Sequence, residues 1–426
     1  VKDLTKTKTA DNQPSPFFRP GDWTSVSVGD RGNVSASPPV EWPIWGDVSR
    51  VKPFLQIFFQ TAEFFRPRCG TGAALPWPRR DTFSALEADA PVNPPRAKRL
   101  LKPRLHPRKY YVIRHAIIIL ALGDVMQVLR TPDARFAAIP DFPFAAHYAE
   151  IADPTDGTRL RVHYVDEGPR EAPVVLMMHG EPSWCYLYRF MIGPVADAGY
   201  RVLAPDLIGF GKSDKLAKKS DYSYARHVAW IRRWIEKLDL RNITLACQDW
   251  GSLIGLRLVS EMPERFNGVV LSNGGLPAGQ DAPRAFAIWR AFSKYSPVFP
   301  IGRIIARGTA RTLSDAEIAA YDAPFPNGRY KAGARIFPSF VPLGPNIAVP
   351  DQLKAWEVLD RWEKPFLCCF SDRDPITRGG DALFVGRVPG TRGQNHCTLS
   401  GSHFIQEDDP QGFVRCILDV AGQARG

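Results

Sequence analysis

Methionine is scarce in this 426-residue chain: there are five, and the first is Met126. Long apolar runs are missing as well. Nowhere do the roughly 20 consecutive apolar residues of a bilayer-crossing helix occur. The short apolar run at 116–122, although preceded by basic residues, lies too far along the chain to be a signal-peptide core. Neither secretion nor membrane insertion is therefore expected, and the location is read as cytoplasmic. The seven cysteines fall at no pairing distance, which argues for reduced thiols in a reducing compartment. No Cys/His group has metal-ligand spacing, no Gly-rich loop has the phosphate-binding pattern, and no segment repeats, so neither metal nor other cofactor is expected.

An excess of one charge is confined to the beginning. Residues 1–125 carry 19 basic against 11 acidic residues, and residues 126–426 carry 36 against 33, so the net charge of +11 describes the leader more than the body. A nucleic-acid partner for the body is not expected. The leader also holds 15 of the 39 prolines, scattered among Gly and Trp without a period of 2 or 3.6, as in Pro76-Trp77-Pro78. Such a stretch cannot assemble a core. Residues 1–125 are therefore read as a low-complexity extension outside the native folded protein. Met126, with ordered-looking Arg130-Thr131-Pro132-Asp133 just after it, is the expected start, and the alternative is a genuine disordered basic extension.

From residue 147 onward, strand-like and helix-like segments alternate. Strands are expected at 147–151, 160–165, 174–178, 201–204, 242–245, 268–272, 366–370 and 397–399, with helices through 191–198 and 224–238. This rhythm argues for a mainly parallel sheet with helices on both faces. It breaks between 277 and 350, which are helical and aromatic. The expected organisation is a core of 126–276 and 351–426 with a helical cap, 277–350, above the carboxyl ends of the strands, where ligands bind in such sheets.

The organising stretch is Cys247-Gln248-Asp249-Trp250-Gly251. It follows a β-prone run and precedes a helical one, with small residues two positions either side of Asp249. That is the layout of a nucleophile elbow, the strand-turn-helix of the α/β-hydrolase fold. A carboxylate at the nucleophile position makes alkyl transfer, through an ester on the protein, the expected chemistry. A simple helix cap by Asp249 is the plainer reading, and the downstream residues argue against it. His403 follows the last strand-like run, and Asp372 and Asp374 follow the one before, in the order nucleophile, acid, histidine that this fold uses. Asp374 is preferred, since Asp-Pro fixes its own turn while Arg373 can hold Asp372 in solvent. Asp206, in the turn Pro205–Ser213, is read as closing that turn on its own backbone. The stretch His179-Gly180-Glu181-Pro182 offers backbone N–H groups at a strand end.

Taken together, Arg130-Thr131-Pro132-Asp133-Ala134-Arg135-Phe136, His179-Gly180-Glu181-Pro182-Ser183-Trp184, Gly209-Phe210-Gly211-Lys212-Ser213-Asp214, Gln248-Asp249-Trp250-Gly251, Tyr321-Asp322-Ala323-Pro324-Phe325-Pro326 and His403-Phe404-Ile405-Gln406-Glu407 resemble a haloalkane dehalogenase of the subfamily with an Asp-His-Asp triad and two halide-binding tryptophans. The resemblance covers about 300 residues from Met126. It implies that Asp249 displaces halide and becomes esterified. His403, oriented by Asp374, then activates water to release a primary alcohol, and the backbone N–H groups of Glu181 and Trp250 hold the oxyanion. Trp250 and Trp289 would bind the halide, indole N–H being a donor only. Phe286, Phe292, Phe337, Pro338, Val341, Ile376 and Thr377 would form the pocket wall. The expected partners are a small halogenated alkane, halide ion and water, acting on a monomer.

Two rivals share the fold. An epoxide hydrolase would use the same Asp and His with cap tyrosines, for which Tyr295, Tyr321 and Tyr330 are available. A non-catalytic receptor would not need all three catalytic side-chain types.

Overall fold

The computed structural model describes residues 126–423, and the expectation for the leader lies outside them. Ten strands follow in chain order: β1 (Val128–Leu129), β2 (His147–Ala152), β3 (Arg159–Glu167), β4 (Val174–Met178), β5 (Arg201–Pro205), β6 (Lys215–Leu216), β7 (Ile243–Asp249), β8 (Phe266–Gly274), β9 (Phe366–Ser371) and β10 (Cys397–Leu399). Eight of them make one sheet in the order β10-β9-β8-β7-β4-β5-β3-β2. Pairing is parallel from β10 through β5 and antiparallel from β5 to β3 and from β3 to β2. The chain is an α/β-hydrolase fold.

Local sequence explains these elements. Strand β4 is wholly apolar because helices cover both faces of a parallel sheet, and all five of its residues are buried. The helix Tyr224–Lys237 buries Tyr224, His227, Val228, Trp230, Ile231, Trp234 and Ile235, one stripe at helical spacing, and the Ser223 hydroxyl caps it by accepting from the Arg226 N–H. Each large apolar side chain fully buried in this way contributes about 1.5–3 kcal/mol.

The short pair β1 and β6 was not foreseen. It fastens the first described residues to the body through Val128 opposite Leu216 and Leu129 opposite Lys215. Arg130 adds a two-pronged contact to the buried Asp214 (2.7 and 3.2 Å).

Between β8 and β9 the chain leaves the sheet for a run of helices, Arg284–Tyr295, Ile301–Arg307, Asp315–Asp322 and Ala332–Ile336, before returning through Val349–Leu359. The helix Asp315–Asp322 begins with a capping box, in which Ser314 and Glu317 satisfy each other's free backbone N–H groups. This excursion and the turns at the carboxyl ends of β4, β7, β9 and β10 supply the groups described next.

Candidate active site

Strand β7 ends at Asp249, and the helix Trp250–Glu261 begins with the next residue. Asp249 has φ 49° and ψ −127°, a conformation that L-residues with a side chain avoid, so the turn stores about 1–3 kcal/mol of strain. The turn closes because its neighbours are glycines. A Cβ on Gly251 would run into the carbonyl oxygen of Met178, and one on Gly180 would run into the Asp249 carboxylate itself. Strand β4 and the elbow therefore touch backbone to backbone.

That approach aims the Glu181 N–H at the elbow carboxylate: it donates to Asp249 Oδ1 at 2.7 Å. On the other side, His403 Nε2 stands 3.6 Å from Asp249 Oδ2. His403 Nδ1–H donates to Asp374 Oδ2 at 3.1 Å. Asp374 is held in turn by the Ile376 N–H (2.8 Å) and by the Thr377 hydroxyl. Asp374 is buried, whereas Asp372 is half exposed, near Arg373, and accepts from the Gly401 N–H at 2.9 Å. Of the two acids, only Asp374 contacts the histidine.

The charges follow from this packing. Burial alone would lower the His403 pKa, but the facing carboxylates of Asp374 and Asp249 outweigh it and raise it to about 10. Burial would raise the Asp374 pKa, and His403 with the Thr377 and Ile376 donors brings it below the ordinary value. The Glu181 carboxyl is pushed well up, first by burial and then by the charge on Asp249. Its Oε1 is sealed from solvent and finds no partner among the described residues.

Two contacts to His403 were not anticipated. Gln248 Nε2 lies 3.1 Å from His403 Nε2 and donates to the His403 carbonyl at 3.2 Å. Asn273, at the end of β8, donates to the carbonyls of Ser402 (2.9 Å) and His403 (3.0 Å). An amide N–H aimed at Nε2 favours a lone pair there, the tautomer a base requires, against the two carboxylates that favour imidazolium. Gln248 carried a signal in the sequence, its place immediately before the nucleophile. Asn273 carried none beyond its strand end.

The aromatic residues separate into two groups. Trp250 is buried between Tyr224 (5.3 Å between ring centres) and Phe337 (4.6 Å), and its indole N–H has no acceptor among the described residues. Trp184, Trp230 and Trp356 donate to Ala320, Asp153 and Leu276, while the buried indoles of Trp234 and Trp362 also lack a partner among the described residues. Phe337 is wholly buried, and its ring also meets His227 at 4.3 Å and Phe210 at 4.9 Å, while Pro338 is buried and Val341 half-buried beside it. Phe286, Trp289 and Phe292 lie half-buried on the helix Arg284–Tyr295, and Trp289 has Phe292 and Phe299 each 6.0 Å away. Ile376 and Thr377, expected in the pocket wall, make their observed contacts with Asp374. Asp206 closes its turn by accepting from the Lys212 N–H (2.7 Å) and the Cys185 N–H (2.8 Å), and it pairs with the buried His163 (2.7 Å).

The comparisons with known proteins point the same way. A family model described as alpha/beta hydrolase fold matches residues 173–335. A protein named haloalkane dehalogenase from Mycolicibacterium paratuberculosis is 54% identical over 295 residues, 69% of this chain and 98% of the relative. Another of that name, from Psychrobacter cryohalolentis, is 51% identical over 296 residues, 69% of this chain and 97% of the relative. Among solved structures, a tetrameric haloalkane dehalogenase from Paraglaciecola agarilytica NO2 matches with a TM-score of 0.63 and 32% identity, over 70% of this chain and 98% of that one.

The elbow geometry predicts the outcome of replacing Gly251 by Ala. The added methyl has nowhere to go beside the Met178 carbonyl, so unfolding by denaturant should show a loss of about 1–3 kcal/mol, typical of overpacking. Unchanged stability would mean that the strand and the turn are not in contact.

Proposed function

The chain belongs to the haloalkane dehalogenases and hydrolyses carbon–halogen bonds, and from that premise we propose that Asp249 is the nucleophile, His403 the base and Asp374 its orienting acid. The observation that carries this reading is the placement of one imidazole between two carboxylates, 3.6 Å from Asp249 and 3.1 Å from Asp374.

In the first step, one Asp249 oxygen attacks the halogen-bearing carbon in line, the carbon–halogen bond breaks with its electron pair, and an alkyl ester forms. The leaving halide is received by the indole N–H of Trp250, the residue next to Asp249, with Trp289 of the cap helix as second donor. In the second step His403 Nε2 takes a proton from water, whose oxygen attacks the ester carbonyl. The Glu181 N–H, already on Asp249 Oδ1, holds the developing oxyanion, joined by the Trp250 N–H. Collapse releases a primary alcohol and restores the carboxylate.

The electrostatics supply an order of events. In the resting site both carboxylates favour a proton on His403. Esterification removes the Asp249 charge and leaves Gln248 and Asp374 in place, so the proton affinity of the imidazole falls and its proton can pass to solvent water before a base is needed.

We assign residues 277–350 as the cap over this site, with Phe286, Phe292, Phe337, Pro338, Val341, Ile376 and Thr377 as pocket wall. A small halogenated alkane, water and halide are the only partners this chemistry requires, and we read the working unit as a monomer, against the tetramer of one solved relative. A cytoplasmic location belongs to the same proposal. It is supported by the six cysteines of the described residues, all of which are free.

Epoxide opening is disfavoured by the cap tyrosines. Tyr321 is buried with its hydroxyl on Glu407, Tyr330 reaches the Arg130 carbonyl (3.4 Å), and Tyr295 is 73% exposed. Each is committed elsewhere or turned to solvent.

Two experiments test the proposal. With a short bromoalkane, His403→Ala should release a burst of bromide stoichiometric with enzyme and gain the mass of one alkyl group on Asp249. Turnover at the normal rate, or no adduct, would contradict the assignment. In Asp249→Asn, NMR of labelled histidine should find the His403 pKa below its value in the unaltered enzyme, and an equal or higher value would refute the coupling of charge to esterification.

A further inference from the structure

Three stretches of chain far apart in sequence meet at one buried carboxylate, four residues beyond His403. Glu407 accepts from Arg189 Nη1 at 2.6 Å and Nη2 at 3.0 Å, from Arg311 and from the Tyr321 hydroxyl. Glu317 joins the same group, accepting from Arg189 at 2.9 Å and from Arg311 at 2.6 Å. The side chains of Arg189 and Glu407 are wholly buried, and the two arginines balance the two glutamates. Arg189 comes from the helix Arg189–Asp197 beside the sheet, and Arg311, Glu317 and Tyr321 come from the excursion between β8 and β9.

The backbone carries a second set of ties between the same stretches. The Phe404 N–H donates to the Gly308 carbonyl at 3.1 Å. The Ser402 N–H donates to Asp408 Oδ2 at 2.7 Å, and the Asp408 carboxylate also accepts from the N–H groups of Ala310 and Arg311 at 2.9 Å. The Arg311 Nε–H donates to the Glu407 carbonyl at 2.9 Å. Only glycine permits this approach at 308, since a Cβ there would lie 2.7 Å from the Phe404 ring. Both chain neighbours of His403 are therefore fastened, Phe404 directly to 308 and Ser402 through the carboxylate that grips 310 and 311.

A buried ion network is by itself weak evidence for stability. Here its position relative to the base is informative, and we propose that Arg311 and Glu407 are positioning residues: by seating 308–321 on the segment 402–408 they hold His403 at its working distance from Asp249. The proposal rests on the reading of His403 as base. It separates the two chemical steps. Attack by Asp249 transfers no proton and does not need His403 in register, whereas water attack does. A loosened clamp therefore slows ester hydrolysis and spares ester formation.

The test is rapid-quench kinetics of the full chain with a short bromoalkane, following alkylated Asp249 by mass spectrometry. Arg311→Met and Tyr321→Phe should form ester within about twofold of the unaltered rate. They should hydrolyse it on the order of tenfold or more slowly, because a displacement of about 1 Å in a catalytic group can cost about a hundredfold. The alkylated form then accumulates at steady state, and Arg311→Lys restores part of the hydrolysis rate. Should Arg311→Met fail to fold, Tyr321→Phe and Arg311→Lys decide between the same outcomes. Hydrolysis at the normal rate, or both steps slowed in parallel as general destabilisation would give, overturns the proposal. His403→Ala in the same assay is the control: if it traps no ester, the reading of the base has failed, which is a separate result from failure of the clamp.

Discussion

The close packing at two glycines, Gly251 against the Met178 carbonyl and Gly180 against the Asp249 side chain, is the constraint on which the site depends. It forces Asp249 into a left-handed turn and brings the Glu181 N–H onto its carboxylate. A carboxylate free in water is a weak nucleophile towards carbon because its charge is spread into solvent. In the elbow the Asp249 carboxylate trades water for one fixed N–H on Oδ1 and one imidazole facing Oδ2, the setting that the proposed attack on carbon requires. The sheet behind it, with β7 between β4 and β8, supplies the rigidity that maintains the strained turn.

His403 is the second dependent element, and it is governed from three directions. Asp374 fixes its far nitrogen, Gln248 and Asp249 compete for the near one, and Asn273 holds its backbone. Gln248 and Asp249 close β7, Asn273 lies at the end of β8, and Asp374 sits in the turn just after β9, so sheet register sets their spacing. Beyond them, the clamp around Glu407 and the Phe404–Gly308 backbone bond tie the segment 402–408 to residues 308–321.

Much of this was legible in the sequence, for reasons that differ between residues. The elbow could be read because small, nucleophile and small at fixed spacing is a steric requirement. Strands β4 and β9 could be read as buried from unbroken apolar runs. Asp374 was preferred over Asp372 on the rigidity of Asp-Pro, and the structure places it against His403. The limits are equally physical. The Ile376 N–H and the Thr377 hydroxyl hold the Asp374 carboxylate, a contact that the sequence did not announce because it depends on how the turn after the acid folds back. Arg189 and Glu407 are 218 residues apart and meet through tertiary packing alone, which no local period reveals. The pair β1 and β6, two residues each, is too short for alternation to show.

The central claim is that the oxygen of the product alcohol is first an oxygen of Asp249. A single turnover with enzyme in excess, run in water labelled with oxygen-18, tests this directly. The mechanism predicts unlabelled alcohol and one labelled oxygen in the Asp249 carboxylate, because water attacks the ester carbonyl and not the alkyl carbon. Labelled alcohol with an unlabelled enzyme would show that water displaces the halide itself, and would contradict the proposed role of Asp249.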